Sequence, residues 1–147
     1  MMSMLLSMVI NHHGKKIRVK ELFMSKLLVV ALGGGLGAST RYLVANYAAQ
    51  KLGVTFPYGT LIVNVTGCFI IGLFMTLTTE KFIVSPYLRL LVSVGFLGGL
   101  TTFSSYSYET FKLLEEASYL LAFYNITTNL AFGFFATYLG ITTARLL

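Results

Sequence analysis

Four long runs free of charged residues leave this chain few ways to fold. Leu27 to Thr40 is uncharged and continues past Arg41 to Gln50, and Leu52 to Thr79, Leu90 to Tyr108 and Ala117 to Ala144 come after it. Crossing a bilayer takes about 20 apolar residues. Lipid offers no partner to unpaired backbone groups, so runs of this length must cross as helices. The runs therefore predict an all-α integral membrane protein with four transmembrane helices, near residues 27–49, 59–79, 88–111 and 118–142. Composition agrees: 56% of the 147 residues are hydrophobic and 11% charged, against roughly 25% charged in soluble domains. The net charge of +6 could suit nucleic acid. However, the basic residues gather ahead of Leu27 and beside the spans, which is how membrane interfaces are marked, so no nucleic-acid partner is expected.

Residues 1–23 differ in character from the rest of the chain. A short apolar run precedes His12-His13-Gly14-Lys15-Lys16-Ile17-Arg18-Val19-Lys20, the reverse of a secretory signal, whose basic residues come first. Met24-Ser25-Lys26-Leu27 reads as a start just ahead of the first span. Residues 1–23 are therefore expected to be an N-terminal extension, disordered or a misassigned start, and 24–147 the four-helix domain. Adjacent histidines with no further ligands predict no metal site. Four spans put both termini on one side, with Lys26, Lys81, Arg89 and Arg145, while Lys51 and Lys112 lie opposite. Counted from Met24, that bias is small enough to permit insertion either way round.

The third run is the odd one. Gly95, Gly98, Gly99, Thr101, Thr102, Ser104 and Ser105 fall where a membrane helix should be most regular, and each glycine costs about 1 kcal/mol of helix propensity. Broken backbone at membrane depth is tolerated where it packs in protein or lines a polar path. A broken third helix is the expectation, and function is expected there.

Other polar residues are few. Glu80, Glu109, Glu115 and Glu116 are placed at span ends or in loops, leaving no carboxylate within a span to bind a coupled cation. That favours an anion or neutral solute and disfavours a small multidrug exporter. Arg41 lies inside the first span, and is read as an attractor at an anion vestibule in preference to a side chain snorkelling to the interface. Asn64 sits among Leu61, Ile62, Val63 and Val65, with an amide NH2 able to donate to an anion. Tyr124 with Thr128 and Asn125 with Asn129 are i, i+4 pairs and suggest a polar track. Phe103 and Tyr106 are three apart and would present electropositive ring edges. Gly33 to Ser39 offers a small-residue face for close helix packing; it follows no strand and lacks the Lys-Ser/Thr ending of a phosphate loop. Cys68, the lone cysteine, is read as a packing residue. The spans hold no acid–base or nucleophile constellation, so no enzyme is expected.

Three segments in order resemble the Fluc/CrcB fluoride channels: Gly34 to Tyr42, Phe56 to Phe69, and Gly95 to Ser105. The likeness covers essentially Met24 to Arg145. It implies a passive fluoride-selective channel of the cell membrane that lets accumulated fluoride leave the cytoplasm. It also implies an antiparallel, dual-topology dimer with itself or a homologous subunit, with two pores at the interface. A structural Na+ on the carbonyls of Gly98 and Thr101 is implied as well. The resemblance assigns the fluoride path to Asn64, Phe103, Ser105, Tyr106, Tyr124 and Thr128, and the vestibule to Arg41. Tyr106 departs from the family, which commonly carries a second phenylalanine there. The rival readings are a small four-helix exporter and a non-transporting membrane scaffold subunit.

Overall fold

In the computed structural model residues 19–147 are described; His12, His13 and the rest of residues 1–18 lie outside the described residues. Four helical stretches are long and apolar enough to cross a membrane: Leu22–Leu52, Tyr58–Lys81, Pro86–Glu115 and Tyr119–Leu146. The first three overrun their predicted spans at both ends, and the fourth starts one residue late, at Tyr119, and overruns only at Leu146. The first helix, α1, runs Val19–Leu52, so it begins inside the segment expected to be disordered. Its capacity to start there reflects the absence of proline or glycine between Val19 and Leu32.

The ends follow from local chemistry. Gly53 takes a positive φ of 85°, which glycine adopts without steric cost, and its N–H closes α1 on Ala49 O at 3.1 Å. Pro57 precedes α2, Tyr58–Thr76, which widens into one π-helical stretch, Leu77–Lys81. Helix α3 covers residues 86–100. Ser85 caps it, accepting from Leu88 N, and Pro86 occupies its first turn, where the missing N–H costs nothing. Within α3 the segment Leu90–Phe96 is π-helical and Leu97–Leu100 returns to α-helix. Helix α4 is Phe103–Glu115 and α5 is Tyr119–Leu146.

Glycines set how the helices meet. A Cβ on Gly37 would overlap Phe96 O, and one on Gly33 would overlap Leu91 O, so α1 crosses α3 backbone to backbone. Gly72 and Gly140 do the same for α2 and α5, against Thr137 O and Phe69 O. Without a hydrophobic drive between helices in lipid, this close approach supplies the packing. Val63, Leu97 and Leu100 form the small buried core between them. One end of the bundle gathers Ser25 with Tyr87 (3.1 Å), Lys81 Nζ with Arg145 O (3.0 Å) and Arg145 with Glu80 (2.9 Å). Both chain ends of the described domain therefore lie on one side, as an even number of spans requires.

Candidate functional site

Between α3 and α4 the chain leaves the helix at two residues. Thr101 has φ −82°, ψ 154° and Thr102 has φ −151°, ψ 118°, extended values that suit β-branched side chains. The glycines are not where the backbone departs: Gly95, Gly98 and Gly99 are all helical. Gly95 and Gly99 instead lie against the α1 backbone at Gly33 and Gly34. The hydroxyl-rich stretch after them marks the departure. Thr102 is the N-cap of α4, and its Oγ1 accepts from Ser105 N at 3.1 Å, one of the four orphan amides a helix start must satisfy.

Leaving the helix in lipid strands polar groups at several kcal/mol each, and two side chains take them up. Asn64 Oδ1 accepts from Thr102 N at 2.8 Å, and Asn64 Nδ2 donates to Thr102 O at 3.2 Å. Arg41 Nη1 donates to Thr101 O at 3.3 Å. Arg41 therefore reaches inward to the extended pair. Asn64 Nδ2 also donates to Asn129 Oδ1 at 3.1 Å, so both its hydrogens are engaged within the protein.

Beside this junction opens a groove of about 380 Å³ whose lining includes Asn64, Gly98, Thr101, Phe103, Tyr106 and Asn129. Phe103 and Tyr106 stand together on α4, ring centroids 5.5 Å apart and tilted by 54°. Phe103 is 77% exposed, so one chain leaves the groove unwalled on that side. Ser105 joins through Thr102, whose hydroxyl donates to Ser105 Oγ at 3.0 Å. Tyr124 and Thr128 are not drawn in. Thr128 Oγ1 donates to Tyr124 O at 2.7 Å, the local back-bond common for hydroxyls in membrane helices, and the Tyr124 side chain is about half exposed.

Two groups escaped the sequence reading. Asn129 was visible only as half of an i, i+4 pair, and its partner across the helices could not be read from spacing. Glu109 was expected at a span end, and it stands late in the third span, beside Thr60 in the first turn of α2. It lies within α4, half-buried, with Oε1 accepting from Thr60 Oγ1 at 2.7 Å and Oε2 buried without a partner. Phe56-Pro57-Tyr58-Gly59-Thr60 ahead of Glu109 gave no hint of the pairing, because it depends on how α2 and α4 rotate against each other.

A family model described as CrcB-like protein, Camphor Resistance (CrcB), matches residues 28–141. Among curated proteins, a fluoride-specific ion channel FluC of Sulfurihydrogenibium sp. is 47% identical over 124 residues, covering 84% of this chain and all of the relative. A FluC of Solibacter usitatus is 45% identical over 120 residues, covering 82% of this chain and 98% of the relative. One of Trichlorobacter lovleyi reaches 49% over 113 residues, 77% of this chain and 88% of the relative. The family match takes in every residue of the groove and most of all four spans, and with four helices fit to cross a bilayer the chain is a multi-pass membrane protein of the CrcB-like family.

Proposed function

We propose that this protein is a fluoride-selective channel of the cell membrane, which lets fluoride leave the cytoplasm passively and so limits its toxicity. The observation that carries this reading is the junction at Thr101 and Thr102. There a broken third helix is held by an amide and a guanidinium beside an open groove. The relatives that match over nearly their whole length are named fluoride-specific ion channels, which supports the choice of ion.

Fluoride holds its water tightly, so a path must offer donors in exchange. Arg41 supplies positive charge at the junction and draws anions toward it. Asn64 and Ser105 supply N–H and O–H groups, and the start of α4 adds the positive end of a helix dipole. Phe103 and Tyr106 present ring edges along the groove. Tyr106 keeps the edge of the usual phenylalanine and adds a hydroxyl. Tyr124 and Thr128 belong to the path only when a second copy brings another face against them.

The open groove and exposed Phe103 favour an antiparallel dimer, with the path completed between subunits. A structural Na+ fits the same junction. In a continuing helix Gly98 O would receive Thr102 N–H, but that amide is turned to Asn64. No atom outside its own helix lies within 4 Å of where a Cβ on Gly98 would stand. Gly98 O and Thr101 O would hold the ion, although Thr101 O already accepts from Arg41. Hard cations take about six oxygens, so two carbonyls from one chain call for matching ones from another. When bound, the ion supplies charge neutralisation where carbonyls of two subunits meet.

The test is efflux from liposomes holding this chain alone. Rapid fluoride efflux with little chloride efflux is expected. Equal release of both ions, or release of neither even with a second homologous chain present, would overturn the reading. Release only after a second homologous chain is added would assign the function to a paired assembly.

A further inference from the structure

The amides around Asn64 form a chain with a single sense. Thr102 N–H can only donate, and it donates to Asn64 Oδ1. Asn64 Nδ2 then donates to Thr102 O and to Asn129 Oδ1. Asn129 in turn presents Nδ2 to Asn125, donating to its backbone O and its Oδ1, both at 3.0 Å. Asn125 Nδ2 donates to Thr110 Oγ1 at 2.9 Å, and the Thr110 hydroxyl donates to Tyr106 O at 2.8 Å. A backbone donor closes one end and a backbone acceptor the other. Flipping any one amide would set two N–H groups, or two oxygens, face to face.

Burial protects the chain. Asn125 is 0% exposed and Thr110 is buried as well, so water does not compete for their links. In such surroundings linked hydrogen bonds polarise one another, and an unmade one is costly. Asn129 lines the groove; Asn125 stands behind it. The chain runs from the extended pair to the α4 turn that carries Tyr106, and Thr102 and Tyr106 both line the groove.

We infer that Asn129 and Asn125 are positioning residues for anion passage, holding the Asn64 amide in one orientation and tying it, through Thr110, to the turn that carries Tyr106. Both Asn64 hydrogens are engaged, so an ion that accepts one must take it from Thr102 O or from Asn129 Oδ1. A fixed Asn129 returns the amide to the same orientation after each passage. This rests on the fluoride reading, because it assumes that the ion meets Asn64. The plainer role, glue between α2, α4 and α5, would leave Asn64 indifferent to what stands at residue 125.

Asn125→Leu separates the two roles. It cuts the chain without touching Asn64, and it strands little. Asn129 Nδ2 keeps Asn125 O as an acceptor, and Thr110 keeps Tyr106 O. Two readouts are taken on folded, full-length protein in lipid: the initial fluoride efflux rate per folded protein, and the side-chain 15N–1H2 signal of Asn64, assigned by its loss in Asn64→Leu. The expected result is efflux slowed about tenfold, the worth of one hydrogen bond, together with a shifted Asn64 signal. Should Asn125→Leu fail to fold, Thr110→Val has a similar shape and cuts the chain one link further on; the same shift is expected. An unchanged Asn64 signal, or a shifted signal with an unchanged rate, overturns the inference. Failure of the fluoride reading itself would show already in the unmodified chain, as absent efflux.

Discussion

At the scale of single residues, the least comfortable group is the Glu109 carboxylate. One oxygen rests on the Thr60 hydroxyl and the other is buried with nothing to accept from. A carboxylate half out of water is tolerated only while it keeps a donor. Thr60→Val keeps the shape of the side chain and removes that donor, so it should cost about 1–3 kcal/mol, read as a lowered thermal midpoint of the purified protein. Glu109→Leu removes the group that needs the donor. In the double variant Thr60→Val/Glu109→Leu most of the loss should therefore disappear, because no charge remains unpaired. Additive losses in that double-mutant cycle would mean that the two residues contribute independently and that the 2.7 Å contact carries little. Asn64 is the opposite case, since both ends of its amide are used. It is also the residue whose role was most nearly legible beforehand, because an amide among Leu61, Ile62, Val63 and Val65 must find partners. Which partners it finds depends on three helices at once, and no local pattern encodes that.

At the scale of helices, small residues govern who touches whom. Gly33 and Gly37 let α1 come down on the carbonyls of α3, and Gly95 and Gly99 answer from the other side. Gly37→Leu would drive a side chain into Phe96 O and force the two helices apart. Overpacking typically costs about 1–3 kcal/mol, and here it also displaces Arg41 from Thr101. The expected outcome is a lower yield of folded protein, and fluoride efflux reduced even in the fraction that folds. A variant that folds and conducts normally would show that the α1–α3 crossing can re-form elsewhere. The glycines were legible as a packing face on α1, because the Gly33–Gly37 spacing recurs on one side of a helix. On α3 the same residue type was read as the cause of the departure from helix. The departure falls instead at Thr101 and Thr102, where hydroxyls can cap the next helix and β-branched side chains suit extended backbone. The four spans themselves were plain, since absence of charge over such lengths has few other meanings. Most of their ends overran the expected limits because polar and basic residues continue a helix readily into the interfacial zone.

At the scale of the whole molecule, the groove lies open along one face of the chain. Phe103 projects from α4 at 77% exposure, the groove beside it is open, and nothing from another helix lies within 4 Å of where a Cβ on Gly98 would stand. A second copy placed against this surface would wall the groove and bring further carbonyls to those of Gly98 and Thr101. If Na+ is held there, it joins the subunits, and anything that binds the assembled form alone stabilises it in proportion to occupancy. Exchanging Na+ for a bulky organic cation such as N-methylglucamine should then shorten the lifetime of the dimer. The measurement is subunit exchange between two fluorescently labelled populations in detergent or lipid. Faster exchange without Na+, restored by adding it back, is the expected outcome. Gly98→Ala provides the matching control, since it alters the backbone preference at one proposed ligand while meeting no neighbour; it should weaken the response to Na+ more than the fold. Exchange at one rate in both media would remove Na+ from the junction and leave Arg41, already 3.3 Å from Thr101 O, as the cation at that carbonyl.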